Sequence, residues 1–197
     1  MIVSKNSSQA RKNNALLDAA RGKASCEYIE HLITNIGADI NAQDNTGQTV
    51  LMKAIKSNRY ITVIKTLLKH GADANVASRN VTPLMYSVLK NKQQLAETLI
   101  SSKVEVNTSS KGISPLIYSL MKKEDTIATM LIQNGADVNA KYRDKTALMI
   151  AAKYTDNPEI IKLLVANGAD TKARDRSGKM ALDFAKRNNN KEIISSL

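Results

Sequence analysis

Gly37-Ala38-Asp39-Ile40-Asn41 returns as Gly71-Ala72-Asp73-Ala74-Asn75 and as Gly135-Ala136-Asp137-Val138-Asn139, and a fourth copy, Gly168-Ala169-Asp170, lacks the asparagine. The gap between the second and third copies is twice the usual spacing, and Lys103-Val104-Glu105-Val106-Asn107 fills it in register. The five marks at 37, 71, 103, 135 and 168 lie 34, 32, 32 and 33 residues apart. A fixed period of that size signals one supersecondary unit used again and again.

A second marker runs in phase: Thr49-Val50-Leu51, Thr82-Pro83-Leu84, Ser114-Pro115-Leu116 and Thr146-Ala147-Leu148, its leucine extending to Leu16 and Leu182. Thr or Ser ahead of Pro starts a helix, because the hydroxyl accepts from an orphan backbone N–H and Pro suits the first helical position. Further on, Ile61, Ile64, Leu67 and Leu68, and then Ile160, Ile161, Leu163 and Leu164, follow the 3.6-residue period of a helix with one buried face. Glycine ends these helices where a left-handed backbone costs least. Each unit therefore reads as helix, turn, helix and a β-hairpin finger.

Together the markers resemble the ankyrin repeat, with its Thr-Pro-Leu-His-x-Ala signature and its period near 33 residues. The resemblance implies an all-α fold, an ankyrin-repeat solenoid of stacked helix-turn-helix units joined by short β-hairpin fingers. It divides the chain into a flexible N-terminal lead at 1–13 and a single ankyrin repeat domain at 14–197, with units 14–43, 44–77, 78–109, 110–141, 142–174 and 175–197. The first and last units are expected as caps, since an end unit has a neighbour on one side only.

This chain departs from the family pattern in two ways. The signature His is missing, and Leu17, Met52, Met85, Ile117, Met149 and Asp183 stand in its place. Apolar packing is expected to replace the hydrogen bonds that this His makes in the family. The fingers leading into the third, fourth and fifth units are one residue short, and those around Asn80 and Asp144 lack the usual Gly. Asn and Asp tolerate left-handed turns, so tight hairpins are expected there.

The composition suits such a stack. Of 197 residues, 43% are apolar, yet there is no Trp, one Phe and six Tyr; short helices packed through Leu, Ile and Ala need few large rings. The net charge of +11, from 29 basic against 18 acidic residues, favours acidic partners. Cut at the unit boundaries, every segment carries between +1 and +3, with no basic tail or run of the nucleic-acid kind. Cys26 is the single cysteine, which excludes an intrachain disulfide and a multi-cysteine zinc site. The first residues lack the apolar core of a signal peptide. The longest apolar runs, such as Ala147 to Ala152, fall far short of the roughly 20 residues that span a bilayer, so no membrane insertion is expected. Lys outnumbers Arg by 21 to 8, and Asn and Ile each occur 18 times, a bias of AT-rich genomes. The expected location is the cytoplasm, or a host cell if the chain is a secreted bacterial effector.

Residues for catalysis are sparse. His70, just before Gly71, reads as a helix C-terminal group, and His31, beside Glu30, as a surface residue. Cys26 has no histidine placed beside it to make it a nucleophile. The Asp of each Gly-Ala-Asp recurs one unit apart, too dilute to share a metal ion, and reads as a turn residue. No phosphate-loop, dinucleotide or His-Glu-x-x-His motif is present. The chain is read as a non-enzyme with no catalytic, cofactor-binding or metal-binding residues and no cofactor.

In the family, the finger tips and the exposed side of each first helix face the groove. The matching positions here are Arg79, Lys111, Tyr142 and Arg143 on fingers, and Tyr86, Lys90, Tyr118, Lys122 and Tyr154 on first helices. Tyr and Arg are the types enriched at binding hot spots. The competing reading takes Tyr86 and Tyr118 as half-buried packing residues and the lysines as a solvated face. The function read from this is a monomeric protein–protein interaction scaffold whose partner is a protein with an acidic surface. A regulatory or inhibitory subunit that docks on an enzyme is the alternative. Nucleic-acid or acidic-polymer binding ranks behind, because aromatics are few for base stacking.

Overall fold

Hydroxyls of the repeated Thr/Ser-x-Leu marker cap helices. Thr49 Oγ1 accepts from Met52 N at 3.1 Å, Ser114 Oγ from Ile117 N at 3.2 Å and Thr146 Oγ1 from Met149 N at 3.3 Å. The computed structural model describes residues 2–187 and 190–197. Contacts gather the chain into two compact units, Met1–Pro83 and Leu84–Leu197, where the sequence predicts one domain over 14–197.

The first unit holds α1 (Ile2–Arg21), α2 (Cys26–Thr34), α3 (Val50–Lys56) and α4 (Ile61–Lys69). Helix α1 packs on α2 and α3, and α2 packs on α4, which makes two layers. Leu16, Ile29, Leu51, Met52, Ile55 and Leu67 fill the space between them.

The second unit holds α5 (Pro83–Leu89, beginning one residue earlier), α6 (Gln93–Ser101), α7 (Pro115–Lys122) and α8 (Asp125–Gln133). It continues with β1 (Lys141–Tyr142), β2 (Lys145–Thr146), α9 (Ala147–Tyr154), α10 (Pro158–Ala166), α11 (Ala181–Arg187) and α12 (Lys191–Ser195). First helices α7, α9 and α11 pack in one layer, second helices α6, α8, α10 and α12 in the other. The residues that replace the family's His are buried as expected: Leu17, Met52, Met85, Ile117 and Met149 are each at most 3% exposed. Asp183 is the exception. It is exposed and turns back to accept from Met180 N at 2.9 Å, ahead of α11.

Gly71, Gly135 and Gly168 follow their helices with φ of 88°, 84° and 89°. Lys103 takes the matching place after α6 and the same left-handed region, φ 58°, with a side chain that disfavours it.

Beyond these stops, asparagine side chains join consecutive repeats. Asn107 Nδ2 donates to Gly135 O at 3.1 Å while its Oδ1 accepts from Asp137 N at 2.8 Å. Asn139 does the same to Gly168 O at 3.0 Å and Asp170 N at 2.9 Å. In the first unit, Asn41 bridges Gly71 O and Asp73 N at 3.4 and 2.8 Å. The acidic residue of each marker holds its own turn, accepting from the N–H two residues on, as Asp137 does from Asn139 at 2.9 Å. Asp therefore has the turn role that its spacing implies.

At the Gly37 turn α1 provides the bridge. Gln9 Nε2 donates to Gly37 O at 3.0 Å, and Asn13 Oδ1 accepts from Asp39 N at 2.9 Å. The two carboxamides are joined at 2.9 Å. In place of a flexible lead at 1–13, the chain is helical from Ile2, Met1 lying outside the described residues. The physical reason is that Leu16, Leu17, Ala19 and Ala20 anchor the helix in the core while Gln9 and Asn13 tie its earlier turns to the loop.

Asn139→Ala removes both hydrogen bonds of a bridge and is expected to cost about 1–3 kcal/mol, a fall of roughly 3–8 °C in calorimetric melting temperature for a chain of this size; an unchanged melt would refute the bridging role. Lys103→Gly relieves the left-handed strain and is expected to stabilise by about 0.5–1 kcal/mol, read as a higher urea midpoint at unchanged slope.

Candidate functional site

Finger geometry decides what stands at the tips. In the three short fingers only two residues connect the paired positions: Ser78 with Val81, Ser110 with Ile113, and Tyr142 with Lys145. Both connecting residues have positive φ in each: Arg79 and Asn80 at 53° and 61°, Lys111 and Gly112 at 52° and 75°, Arg143 and Asp144 at 47° and 67°. Two positive values are what a type I′ hairpin turn demands. The tight hairpins expected from the missing residue are thus present, and each holds an exposed cation at its first turn position.

The longer fingers are built on an aspartate. Asp44 Oδ1 accepts from Thr46 N and Gln48 N at 2.8 and 3.0 Å, and Asp175 Oδ1 from Ser177 N and Lys179 N at 2.9 and 3.0 Å. Lys53 Nζ lies 2.8 Å from Asp44 Oδ2, with both side chains 16% exposed. That ammonium, helped by the Thr46 hydroxyl and the loop N–H groups against the effect of burial, holds the Asp44 carboxyl well below the usual carboxylate range. Asp175 is also lowered, first by the Lys179 N–H. Burial, with Arg79's charge second, pushes the Lys56 ammonium down.

On the first helices, Tyr86, Tyr118 and Tyr154 are half-buried, as is Tyr142 on β1, while Lys90, Lys111 and Lys122 are exposed. Each ring carries a cation. Lys122 Nζ stands 5.8 Å from the Tyr118 ring centre, the Arg143 guanidinium 5.3 Å from Tyr142, and Lys153 Nζ 4.6 Å from Tyr154 and 3.0 Å from its hydroxyl. The partner of Tyr86 is Lys92, at 5.8 Å, rather than Lys90. Such contacts are worth about 0.5–1 kcal/mol at exposed sites.

Of the nine candidates, Tyr142, Arg143 and Tyr154 share a recess of about 220 Å³ with Met121, Lys145, Ile150 and Lys153. Lys145 was legible in principle, because a two-residue turn sets it directly opposite Tyr142. Lys92 was not, since it reaches Tyr86 across a turn where Asn91 adopts φ 48°.

His70 Nε2 lies 3.2 Å from Glu30 Oε1, and His31 is exposed on α2. Cys26 borders a recess of about 640 Å³ in the first unit, and no histidine or carboxylate is among its lining residues. Among the described residues, no three His, Cys, Asp or Glu side chains stand together as a metal site. No helix among them is long and apolar enough to cross a membrane.

A model of ankyrin repeats in three copies matches residues 16–110 and 63–142, and one of ankyrin repeats in many copies matches 131–185. The chain belongs to the ankyrin repeat family. It is 47% identical over 58 residues to the ankyrin repeat protein FPV233 of fowlpox virus (strain NVSL), a match covering 28% of this chain and 11% of the viral protein. Among solved structures, an ankyrin repeat domain of Acinetobacter baumannii AYE is similar with a TM-score of 0.79 and 25% identity, covering 92% of this chain and 95% of that one. A chain of the complex of the Bdellovibrio bacteriovorus predatory endopeptidase Bd0816 with immunity protein Bd3460 is similar with a TM-score of 0.67 and 27% identity, over 92% and 95% of the two chains.

The Asp44–Lys53 pair yields a pH prediction. A carboxyl lowered by folding stabilises at all pH above its unfolded value and loses that contribution as pH falls. Asp44→Asn is therefore expected to lower the melting temperature by a few degrees at pH 7, with the gap from the parent closing below about pH 4. An equal gap at pH 7 and pH 3 would show that the pairing is not the cause.

Proposed function

We propose that this chain is a non-catalytic scaffold that binds a partner protein with an acidic surface through its finger tips and the exposed faces of its first helices. Ankyrin repeats are generally protein–protein interaction modules. The observation that carries the finer reading is the repeated pairing of a half-buried ring with a cation on these elements, at Tyr86, Tyr118, Tyr142 and Tyr154 of the second unit. A cation resting on a ring is partly ordered before a partner arrives, so less side-chain entropy is lost on meeting a carboxylate. Arg79, Lys90, Lys111, Lys122 and Arg143 supply further charge on the same kinds of element. The reading takes the chain as a monomer that keeps this surface for its partner.

A second reading makes the chain a regulatory or inhibitory subunit that docks on an enzyme. Its support is the similarity to a chain from a structure that pairs an endopeptidase with an immunity protein. It uses the same surface and differs in the partner, whose activity would change on binding.

Crosslinking mass spectrometry on the native complex tests the surface. Crosslinks are expected at the fingers and first helices, and crosslinks confined to the second helices would sink the proposal. The double variant Tyr86→Ala/Tyr118→Ala is expected to weaken partner binding at least tenfold, about 1.4 kcal/mol, while shifting the melting temperature by no more than about 2 °C. A large drop in melting temperature would assign the two rings to packing instead.

A further inference from the structure

We infer that the second unit carries a two-part recess for a short linear peptide in which an acidic residue and an apolar residue stand two positions apart. This rests on the reading of the chain as a protein-binding scaffold and specifies the segment of the partner that it would hold.

Two recesses adjoin through the shared residues Lys145 and Lys153. The larger, of about 410 Å³, is bordered by these two lysines with Asp175, Lys179, Phe184 and Arg187. The smaller is bordered by the same lysines with Met121, Tyr142, Arg143, Ile150 and Tyr154. Five cations thus face one carboxylate across the pair.

That carboxylate is already committed. Asp175 is 4% exposed, accepts from the N–H groups of Ser177 and Lys179, and lies 3.7 Å from Lys145 Nζ. Lys145 is also 3.6 Å from Asp144 and 5.8 Å from the Phe184 ring centre, which leaves it as a fixed part of the wall. Lys153 is held on Tyr154. Lys179 and Arg187 are exposed at the rim and carry the excess positive charge toward solvent.

The larger recess is therefore a place for an anion beside the Phe184 ring, and the smaller one a place for an apolar side chain between two tyrosines. In an extended peptide, residues two apart lie on one face about 6.6 Å from each other, so an acidic residue and its next-but-one apolar neighbour serve adjoining recesses. Nucleic acid is the less suitable occupant. Its phosphates need cations spaced along a track, whereas the net charge of this chain is spread at +1 to +3 per repeat and the smaller recess adds Met121, Ile150 and two tyrosines to its cations.

Phe184 is the only phenylalanine in the chain, so replacing it biosynthetically with 4-fluorophenylalanine gives one fluorine resonance at the recess. The probe is the acetylated heptapeptide Gly-Ser-Glu-Ser-Leu-Ser-Gly, whose Glu and Leu stand two positions apart and so share one face when extended. A saturable shift of that resonance is expected, at least tenfold weaker for the same peptide with Gln in place of Glu. Lys179→Gln/Arg187→Gln, both exposed, is expected to weaken binding at least tenfold. Lys65→Gln/Lys69→Gln on α4, which removes the same charge from the first unit, should change it by less than about twofold, since neither lysine borders either recess.

No saturable shift up to about 5 mM peptide, or an equal loss in both double variants, overturns the inference. A tighter response to oligo-dT than to the peptide also overturns it, in favour of nucleic acid. Native crosslinks at the fingers with a silent fluorine resonance would remove this inference and leave the scaffold reading standing. The reverse pair of results would remove the scaffold reading.

Discussion

A carboxamide can donate and accept from one planar group, and the joining of repeats in this chain depends on that property. The glycine that ends a helix leaves a carbonyl without a helical partner, and the marker aspartate two residues later leaves an N–H in the same state. Asn107 and Asn139 each satisfy both at once from the preceding repeat. Unpaired backbone groups carry a penalty wherever water is scarce, so the bridge sets the distance and angle between successive turns. Apolar packing between helices is less directional and could slide. Gln9 and Asn13 show how strict the requirement is, because at the Gly37 turn two side chains of one helix together make the same pair of bonds.

The fold was legible because its punctuation is local. Hydroxyl caps, glycine stops and shortened fingers are each decided within a few residues, so the sequence alone places them. The methionines at the family's His position were readable for the same reason, as a polar site turned apolar. Bridges between side chain and backbone some 30 residues apart carry no local signature beyond the recurrence of Asn itself. Helix α1 was hidden differently. Its early turns are polar, and they are held by an anchored C-terminal half and two distant hydrogen bonds rather than by an apolar stripe.

The candidate surface divides along the same line. That Tyr86 and Tyr118 occupy one repeat position, half-exposed, was open to reading from the period. Which cation rests on which ring was not, because Lys92 is brought to Tyr86 by a left-handed residue in the intervening turn. The two-part, five-cation recess draws on a finger, three first helices and the loop ahead of the last of them. Only the pairing of Tyr142 with Lys145 among its members follows from a short-range rule.

Arg79, Lys111 and Arg143 sit in turns whose backbone favours glycine or asparagine. A long side chain there costs on the order of 1 kcal/mol. Stability and surface charge therefore pull in opposite directions at the same three positions. A population of variants selected for folding alone would drift toward glycine at these tips and would grow more robust as it lost its positive fingers. Selection for a bound partner would hold them basic, so these turns act as a built-in record of which pressure has been stronger.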